Sequence, residues 1–291
     1  MSIFLKISEF FQNSKYTNEH LKGNNKSYQK FIILTYRRTG ANYFLDLLRS
    51  HSAIVAYATL FENGKLGFVY PGYPNPRSKQ TLEYRDKYPR EFLKKRIFRN
   101  FNENIKAVGF KMVYKTGHPQ ILEYIRTLPE VKIIHLQRRN ILRIHLSDMI
   151  AENTKIWGAV SKENKELVID NNAEFHSKVV EKKSDSILPD NYKIELKYED
   201  CLKEFIKISG FVEKYQNYFA PGQMLNLYYE DLVSNSVEEQ KKVLDFLGVD
   251  YCKLTSRLIK INNKKLSDVI SNYWELKERF VGTEWAVFFE D

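Results

Sequence analysis

Two short segments of this 291-residue chain put guanidinium groups where an anion could be held. The first is Thr35-Tyr36-Arg37-Arg38-Thr39-Gly40-Ala41-Asn42-Tyr43, which lies between an apolar run and a helical pattern. Gly40 permits a tight turn, so that successive backbone N–H groups can converge on an anion at a helix N-terminus. A cation in the same loop adds a charge-assisted contact. The segment is not a Walker A loop, because Gly40 is followed by Ala41-Asn42 where that motif needs Lys-Ser/Thr. The second segment is Gln137-Arg138-Arg139-Asn140, with Ser147 eight residues after Arg139. A planar guanidinium forks onto phosphate oxygens, and a hydroxyl farther along the helix supplies another donor. On the residues alone, a capped turn with two solvated arginines explains the first segment equally well, and an exposed arginine pair with a surface serine explains the second, where the spacing by itself is weak evidence.

The distribution of charge favours ligand sites. The chain has 46 Lys+Arg and 36 Asp+Glu, a formal net charge of +10. Three windows, 35–40, 81–101 and 131–147, carry all of that excess, and the remainder is neutral. A nucleic-acid-binding face would spread its basic residues more widely, so concentration in short pieces suggests compact anion sites. His, Cys and acidic residues show no metal-ligand spacing, and no nucleophile–His–acid set stands out, so no metal is expected. Cys201 and Cys252 are too few for a disulfide framework and fit a reducing compartment, which gives the expectation of a cytoplasmic protein. No apolar run approaches membrane-spanning length, and the first residues read as a mature start rather than a signal peptide.

The elements that must position these residues alternate. Apolar runs at 31–34, 54–57, 107–113, 131–136 and 225–229 read as strands. Helical patterns follow at 43–48, 119–128 and 141–151, and another at 237–247 stops at Gly248. This alternation predicts an α/β fold with a central, mostly parallel sheet flanked by helices, in which ligands bind at the carboxyl ends of strands. Both basic segments fall there. Residues 64–76, rich in Gly and Pro, read as a long loop, and 152–190 as an insertion or lid within one domain spanning 1–291, with 1–29 as an N-terminal extension.

The first segment resembles the phosphosulfate loop of sulfotransferases, strand–(P)-(K/R)-(S/T)-G-(S/T)–helix. Arg38 matches the catalytic Lys/Arg, Thr39 the hydroxyl residue and Gly40 the glycine, while Arg37 replaces the usual Pro and Ala41-Asn42 the usual hydroxyl pair. Arg139 and Ser147 match the family's Arg/Ser pair for the 3′-phosphate of the donor. Tyr229-Glu230-Asp231-Leu232 and Phe246-Leu247-Gly248 are similar to the family's late YEDL…FLG stretch. The ending, Ser271 to Trp285, resembles bacterial carbohydrate- and glycolipid-directed members such as the nodulation-factor sulfotransferases. The RKGxxGDWK signature of the phenol- and steroid-sulfating branch is absent.

The resemblance implies a P-loop-NTPase-like sulfotransferase fold and 3′-phosphoadenosine 5′-phosphosulfate (PAPS) as co-substrate. It places donor binding on Arg37, Arg38, Thr39, Gly40, Ala41, Asn42, Arg139 and Ser147. Catalysis would need Arg38 and a base. Thr59 stands where the glycan-directed branch carries a Glu, which leaves Glu62, three residues on, as one choice. His118, in Lys115-Thr116-Gly117-His118-Pro119, is similar to the other branch's KTHLP base and is the second choice. Lys111, near a strand end, is a further residue to orient the donor. The acceptor implied is a carbohydrate or glycolipid hydroxyl. The basic segment 81–101 stands either as a solvated helix face or as a cradle for an anionic glycan or lipid headgroup, with peripheral contact at an anionic membrane. A P-loop-type kinase and a non-enzymatic nucleic-acid-binding protein are the competing readings, and the oligomeric state is open.

Overall fold

A computed structural model describes residues 23–62, 65–67, 79–114, 118–161, 177–180 and 188–290. The expected sheet is present, with six strands in the order β3-β2-β4-β1-β5-β8. These are β1 (Gln29–Thr35), β2 (Ile54–Glu62), β3 (Lys65–Gly67), β4 (Ala107–Val113), β5 (Val131–Gln137) and β8 (Met224–Tyr228). All pairings are parallel except that of the edge strand β3 with β2. Two further short strands, β6 (Gly158–Ser161) and β7 (Ser177–Val180), form a separate parallel pair.

Strand β1 shows why the sheet is buried on both faces. Its Phe31 and Ile33 pack to one side, with the helix α1 (Ala41–Arg49), while Ile32 and Leu34 enter the larger cluster on the other side. A continuous apolar run is what a strand covered on both faces requires. Helix order continues with α2 (Lys79–Lys87), α3 (Pro89–Phe92, running into a π turn at Leu93–Ile97), α4 (Pro119–Arg126), α5 (Ile141–Thr154) and α6 (Tyr198–Gln216). After β8 come α7 (Tyr229–Ser234), α8 (Ser236–Leu247), α9 (Leu266–Val269) and α10 (Tyr273–Phe280). Helix α8 ends as expected at Gly248, whose φ of 65° lets Val249 N–H reach back to Leu244 O at 3.0 Å.

Several boundaries differ from expectation, each for a local reason. Strand β2 runs on to Glu62, because Leu60 and Phe61 are fully buried and continue the core. Tyr229 opens a helix instead of closing a strand, since Glu230 and Asp231 suit a first helical turn. The basic segment 81–101 is largely helical. Helix α6 had no counterpart in the sequence reading, although Cys201, Phe205 and Ile208 recur at helical spacing on its buried side. Of the expected 64–76 loop, residues 65–67 form β3 and the others lie outside the described residues, as do Lys115-Thr116-Gly117, residues 1–22 and most of 162–187.

Candidate active site

The carboxyl ends of β1, β2, β4, β5 and β8 gather the chemistry on one edge of the sheet. After β1 the chain makes a tight loop in which Arg38 (φ 63°) and Gly40 (φ 84°) are both left-handed. A non-glycine residue in that region costs about 1 kcal/mol or more, so the loop holds Arg38 against a local preference. Gly40 is required twice over, because a Cβ there would meet Tyr229 Cδ2 at 2.2 Å. The Thr39 hydroxyl is buried and internally used: it donates to Tyr36 O (2.9 Å) and lies 2.5 Å from Thr35 Oγ1. Helix α1 begins at Gly40 without a side-chain cap, so its first-turn amides at Ala41 and Asn42 have no cap partner.

Arg38 turns inward. Its Nε donates to Ser147 Oγ and its Nη1 to Trp157 O, both at 3.0 Å. This brings together Arg38 and Ser147, which lie 109 residues apart in sequence. Arg37 points out and is held by Asp148 at 2.6 Å. After β5 the same division recurs in reverse order. Arg138 is the inner residue, its side chain 17% exposed, and its Nη1 donates to Arg38 O at 3.3 Å. Arg139, 49% exposed, makes a bidentate pair with Asp231 (2.6 and 2.6 Å) and lies over the Tyr228 ring. The structure therefore places Arg138, and not Arg139, against the loop. The Tyr229 ring packs against Gly40, with the Arg138 guanidinium 5.1 Å and the Lys260 ammonium 6.0 Å from its centroid.

A third cation arrives from β4. Lys111 Nζ donates to Asn42 Oδ1 at 2.6 Å, and an irregularity in β2 sets Thr59 beside Lys111 in the sheet. Burial pushes the Lys111 ammonium down to about 8, with Arg49 and Arg38 adding to the effect and Glu62 opposing it. Burial likewise lowers Arg38, against the pull of Asp148, and lowers Arg138, against Tyr229 and Glu230.

Among the described residues, the hydrogen bonds of these three cations go to neutral oxygens. The nearest carboxylate to Arg138, Glu230, stands 3.9 Å from its Nε, and that buried Nε has no hydrogen-bond partner. Taking cations out of water without a countercharge is expensive. Among the described residues no carboxylate hydrogen-bonds to these three cations, and their donors fit a polyanion.

A model of the sulfotransferase domain matches residues 28–289. The chain belongs to the sulfotransferase family. Nodulation protein H of Rhizobium meliloti is 26% identical over 267 residues, covering 89% of this chain and 94% of that protein. Its namesake from Rhizobium tropici is 25% identical over 272 residues, covering 90% and 93%. A solved sulfotransferase from Alicyclobacillus acidocaldarius covers 93% of this chain and 97% of its own, at 15% identity and a TM-score of 0.46. The protein is an enzyme of the sulfotransferase class with a mostly parallel α/β fold.

His118, one of the two residues considered as the sulfotransferase's base, belongs to a cluster centred on Arg85 of the 81–101 window, which the other, Glu62, joins only through its backbone carbonyl. Arg85 of α2 is 0% exposed. Its Nη1 donates to Leu60 O (2.8 Å) and Glu62 O (3.2 Å) at the end of β2. Its Nε donates to Asp86 Oδ1 at 2.6 Å, and the same oxygen lies 2.9 Å from His118 Nε2. His118 itself is buried just before α4, with the Phe61 ring edge-on to its imidazole. The Glu62 side chain is exposed. Arg138, Asp86, Arg85 and Tyr229 stand in this region without having been expected there from the sequence. The signal for Arg138 and Tyr229 was their position at strand ends. For Arg85 there was none, since a buried arginine in a basic window looks like its solvated neighbours.

Proposed function

We propose that this sulfotransferase moves a sulfuryl group from PAPS to a hydroxyl of a carbohydrate or glycolipid acceptor by in-line transfer, with protein cations meeting the charge that develops. The observation that carries this reading is Arg38, held inward in a left-handed loop on neutral partners, Ser147 Oγ and Trp157 O. Arg38 and the amides of residues 39–42 would hold the sulfuryl and 5′-phosphate end of the donor. Arg138 and Ser147 would take its 3′-phosphate, with Arg138 in the place expected for Arg139. Lys111 would orient the sulfuryl group through its contact with Asn42. Such positioning and charge stabilisation carry most of the catalysis in related phosphoryl transfers.

Atoms balance without a covalent enzyme intermediate: the acceptor oxygen bonds to sulfur, the bridging S–O bond breaks, and the electron pair leaves on the phosphate. The acceptor proton would pass to a base, for which the candidates are His118, bonded to Asp86 in the Arg85 cluster, and the exposed Glu62 at the end of β2. The likeness of the C-terminal stretch to carbohydrate-directed enzymes supports the acceptor class. The free thiols of Cys201 and Cys252 are in keeping with a cytoplasmic setting. Among the described residues, no helix is long and apolar enough to cross a membrane.

The test is thermal stabilisation by the desulfated product, 3′-phosphoadenosine 5′-phosphate (PAP). Saturating PAP without magnesium should raise Tm, as about a hundredfold excess over Kd gives roughly 2.7 kcal/mol. A shift with ATP and magnesium but none with PAP would replace this reading with a kinase. A screen of hydroxyl acceptors with sulfur-labelled PAPS then identifies the second substrate.

A further inference from the structure

Next to the first loop, where α5 packs on α6, the sign of the charge reverses. His145, Asp148 and Glu152 recur at i, i+3 and i+7 on α5, and Asp200 and Glu204 at i and i+4 on α6, so each set shares one helix face. All four carboxylates act on the His145 imidazole, Glu204 most strongly, then Asp200, Asp148 and Glu152. Arg37 of the loop faces the same group: it pairs with Asp148 at 2.6 Å and feels Glu204 and Glu152 as well.

We propose that this cluster is a subsite for a protonated amine, so that the sugar acceptor carries a free ammonium group beside the hydroxyl that receives the sulfuryl. The proposal rests on the sulfotransferase reading above and narrows its acceptor to an amino sugar.

Two buried members of the cluster lack a hydrogen-bond donor. His145 is 8% exposed and makes no hydrogen bond among the described residues. Burial lowers its imidazole against the pull of the carboxylates, so near pH 7 the ring is neutral and one nitrogen offers a lone pair. Asp148, its side chain 9% exposed, gives Oδ2 to Arg37, while its buried Oδ1 has no partner. Buried polar groups left unsatisfied are rare in native proteins, and two side by side point to a ligand that satisfies them. The outer members supply charge. Glu152 and Asp200 are exposed and have no ion pair among the described residues. Glu204 is held by Lys207 and accepts from Tyr36 Oη at 3.1 Å.

Four carboxylates thus meet two paired cations, Arg37 and Lys207, with Arg38 acting on Asp148 more weakly than Arg37 does. A neutral hydroxyl would fill the empty lone pairs and leave Glu152 and Asp200 uncompensated. An ammonium answers both, having three donors, a positive charge and no acceptor. A metal ion matches less well, because among the described residues no three His, Cys, Asp or Glu side chains are arranged to hold one. The place suits the reaction, since Arg37 adjoins the Arg38 assigned above to the sulfuryl end of the donor. The opposite signs also sort the two substrates: the carboxylates repel the donor's phosphates, and the inner arginines repel the amine.

The experiment titrates the full-length protein, saturated with PAP, with short glucosamine oligomers and with their N-acetylated counterparts. It is run at about pH 6.5, below the range of an aliphatic amine. Wild type should bind the free amines at least about 10-fold more tightly, the scale of one charge-assisted hydrogen bond, and added salt should narrow the gap. The double variant Glu152→Gln, Asp200→Asn alters only exposed side chains. It should lose most of that preference and show a raised KM for the amine in transfer from sulfur-labelled PAPS, with kcat and the gain in Tm with PAP kept. Equal binding of the two sugars, binding of neither, or a preference untouched in the double variant overturns the inference, while the gain in Tm with PAP leaves the sulfotransferase reading intact. Failure of PAP to stabilise even the wild type would instead count against that reading.

Discussion

At the ends of β1 and β5 the chain carries an Arg–Arg dipeptide, and the two dipeptides divide their labour in the same way. Arg37 and Arg139 point out and are each locked to a carboxylate, Asp148 and Asp231. Arg38 and Arg138 point in and rest on neutral oxygens, with Arg138 donating to the carbonyl of Arg38 itself. Neighbours in sequence thus meet opposite electrostatic settings. The exposed Arg139–Asp231 pair contributes little, typically 0–1 kcal/mol, whereas a buried cation whose hydrogen bonds go only to neutral oxygens is a standing cost. Such a cost is tolerable where a ligand's charge offsets it, and on the function proposed above the inner arginines would meet the donor while the outer ones frame the loop.

The largest effect expected from this contrast is on turnover. Arg38→Ala should reduce kcat by about 10²–10³, the usual cost of one donor to developing negative charge. Arg37→Ala should lower Tm, because it strands the buried Asp148 carboxylate, whose Oδ1 already has no hydrogen-bond partner. That is about 1–3 kcal/mol of stability, with PAPS turnover largely kept in what folds. Equal losses of kcat in the two variants would erase the distinction between inner and outer residues.

The second arginine pair gives a sharper and smaller effect, on affinity. Arg138→Ala should weaken PAP binding by about 10- to 100-fold, as expected for losing a charge-assisted hydrogen bond to phosphate. Arg139→Ala should change it by no more than about twofold, since it removes only an exposed pair. Isothermal titration of both variants with PAP distinguishes them. If Arg139→Ala proves the more damaging, the bidentate pair with Asp231 opens on binding and the 3′-phosphate belongs to Arg139.

Much of this was legible in the sequence, and the limits have physical causes. The apolar run of β1, the loop around Gly40 and the Gly248 stop are local features set by burial and backbone conformation, and they read directly. The pairing of Arg38 with Ser147 also follows from two motifs at matching strand ends. Which of Arg138 and Arg139 lies against the first loop does not, because it depends on where the chain turns after β5 and on which side α7 presents its carboxylates. Glu230-Asp231 reads as a helix start, yet Asp231 also pairs with the Arg139 guanidinium and Glu230 accepts from its backbone N–H at 3.1 Å. The charge of window 81–101 concealed Arg85 for a similar reason. A sum of charges does not register that one member is fully buried and bonded to the end of a strand 23–25 residues earlier.

Lys111 provides the smallest expected effect and the most direct test of whether the inner cations act on the donor together. Its ammonium, ordinarily near 10.5, is pushed down to about 8 by burial among other cations. Between those values the unfolded chain binds the proton more readily than the folded one, so this group's contribution to stability rises with pH across the window. Donor binding has the opposite sign, because only the charged ammonium attracts phosphate and sulfate oxygens. From pH 7 to 9 the second ionisation of a phosphate, near 6, is already complete, so the ligand's charge stays constant. PAP affinity should therefore fall by at most about tenfold over that range as Lys111 deprotonates, while its contribution to stability grows. In Lys111→Met the affinity should start lower and lose this pH dependence. An undiminished slope in Lys111→Met would show that Lys111 stays clear of the donor and serves only to hold Asn42 in place.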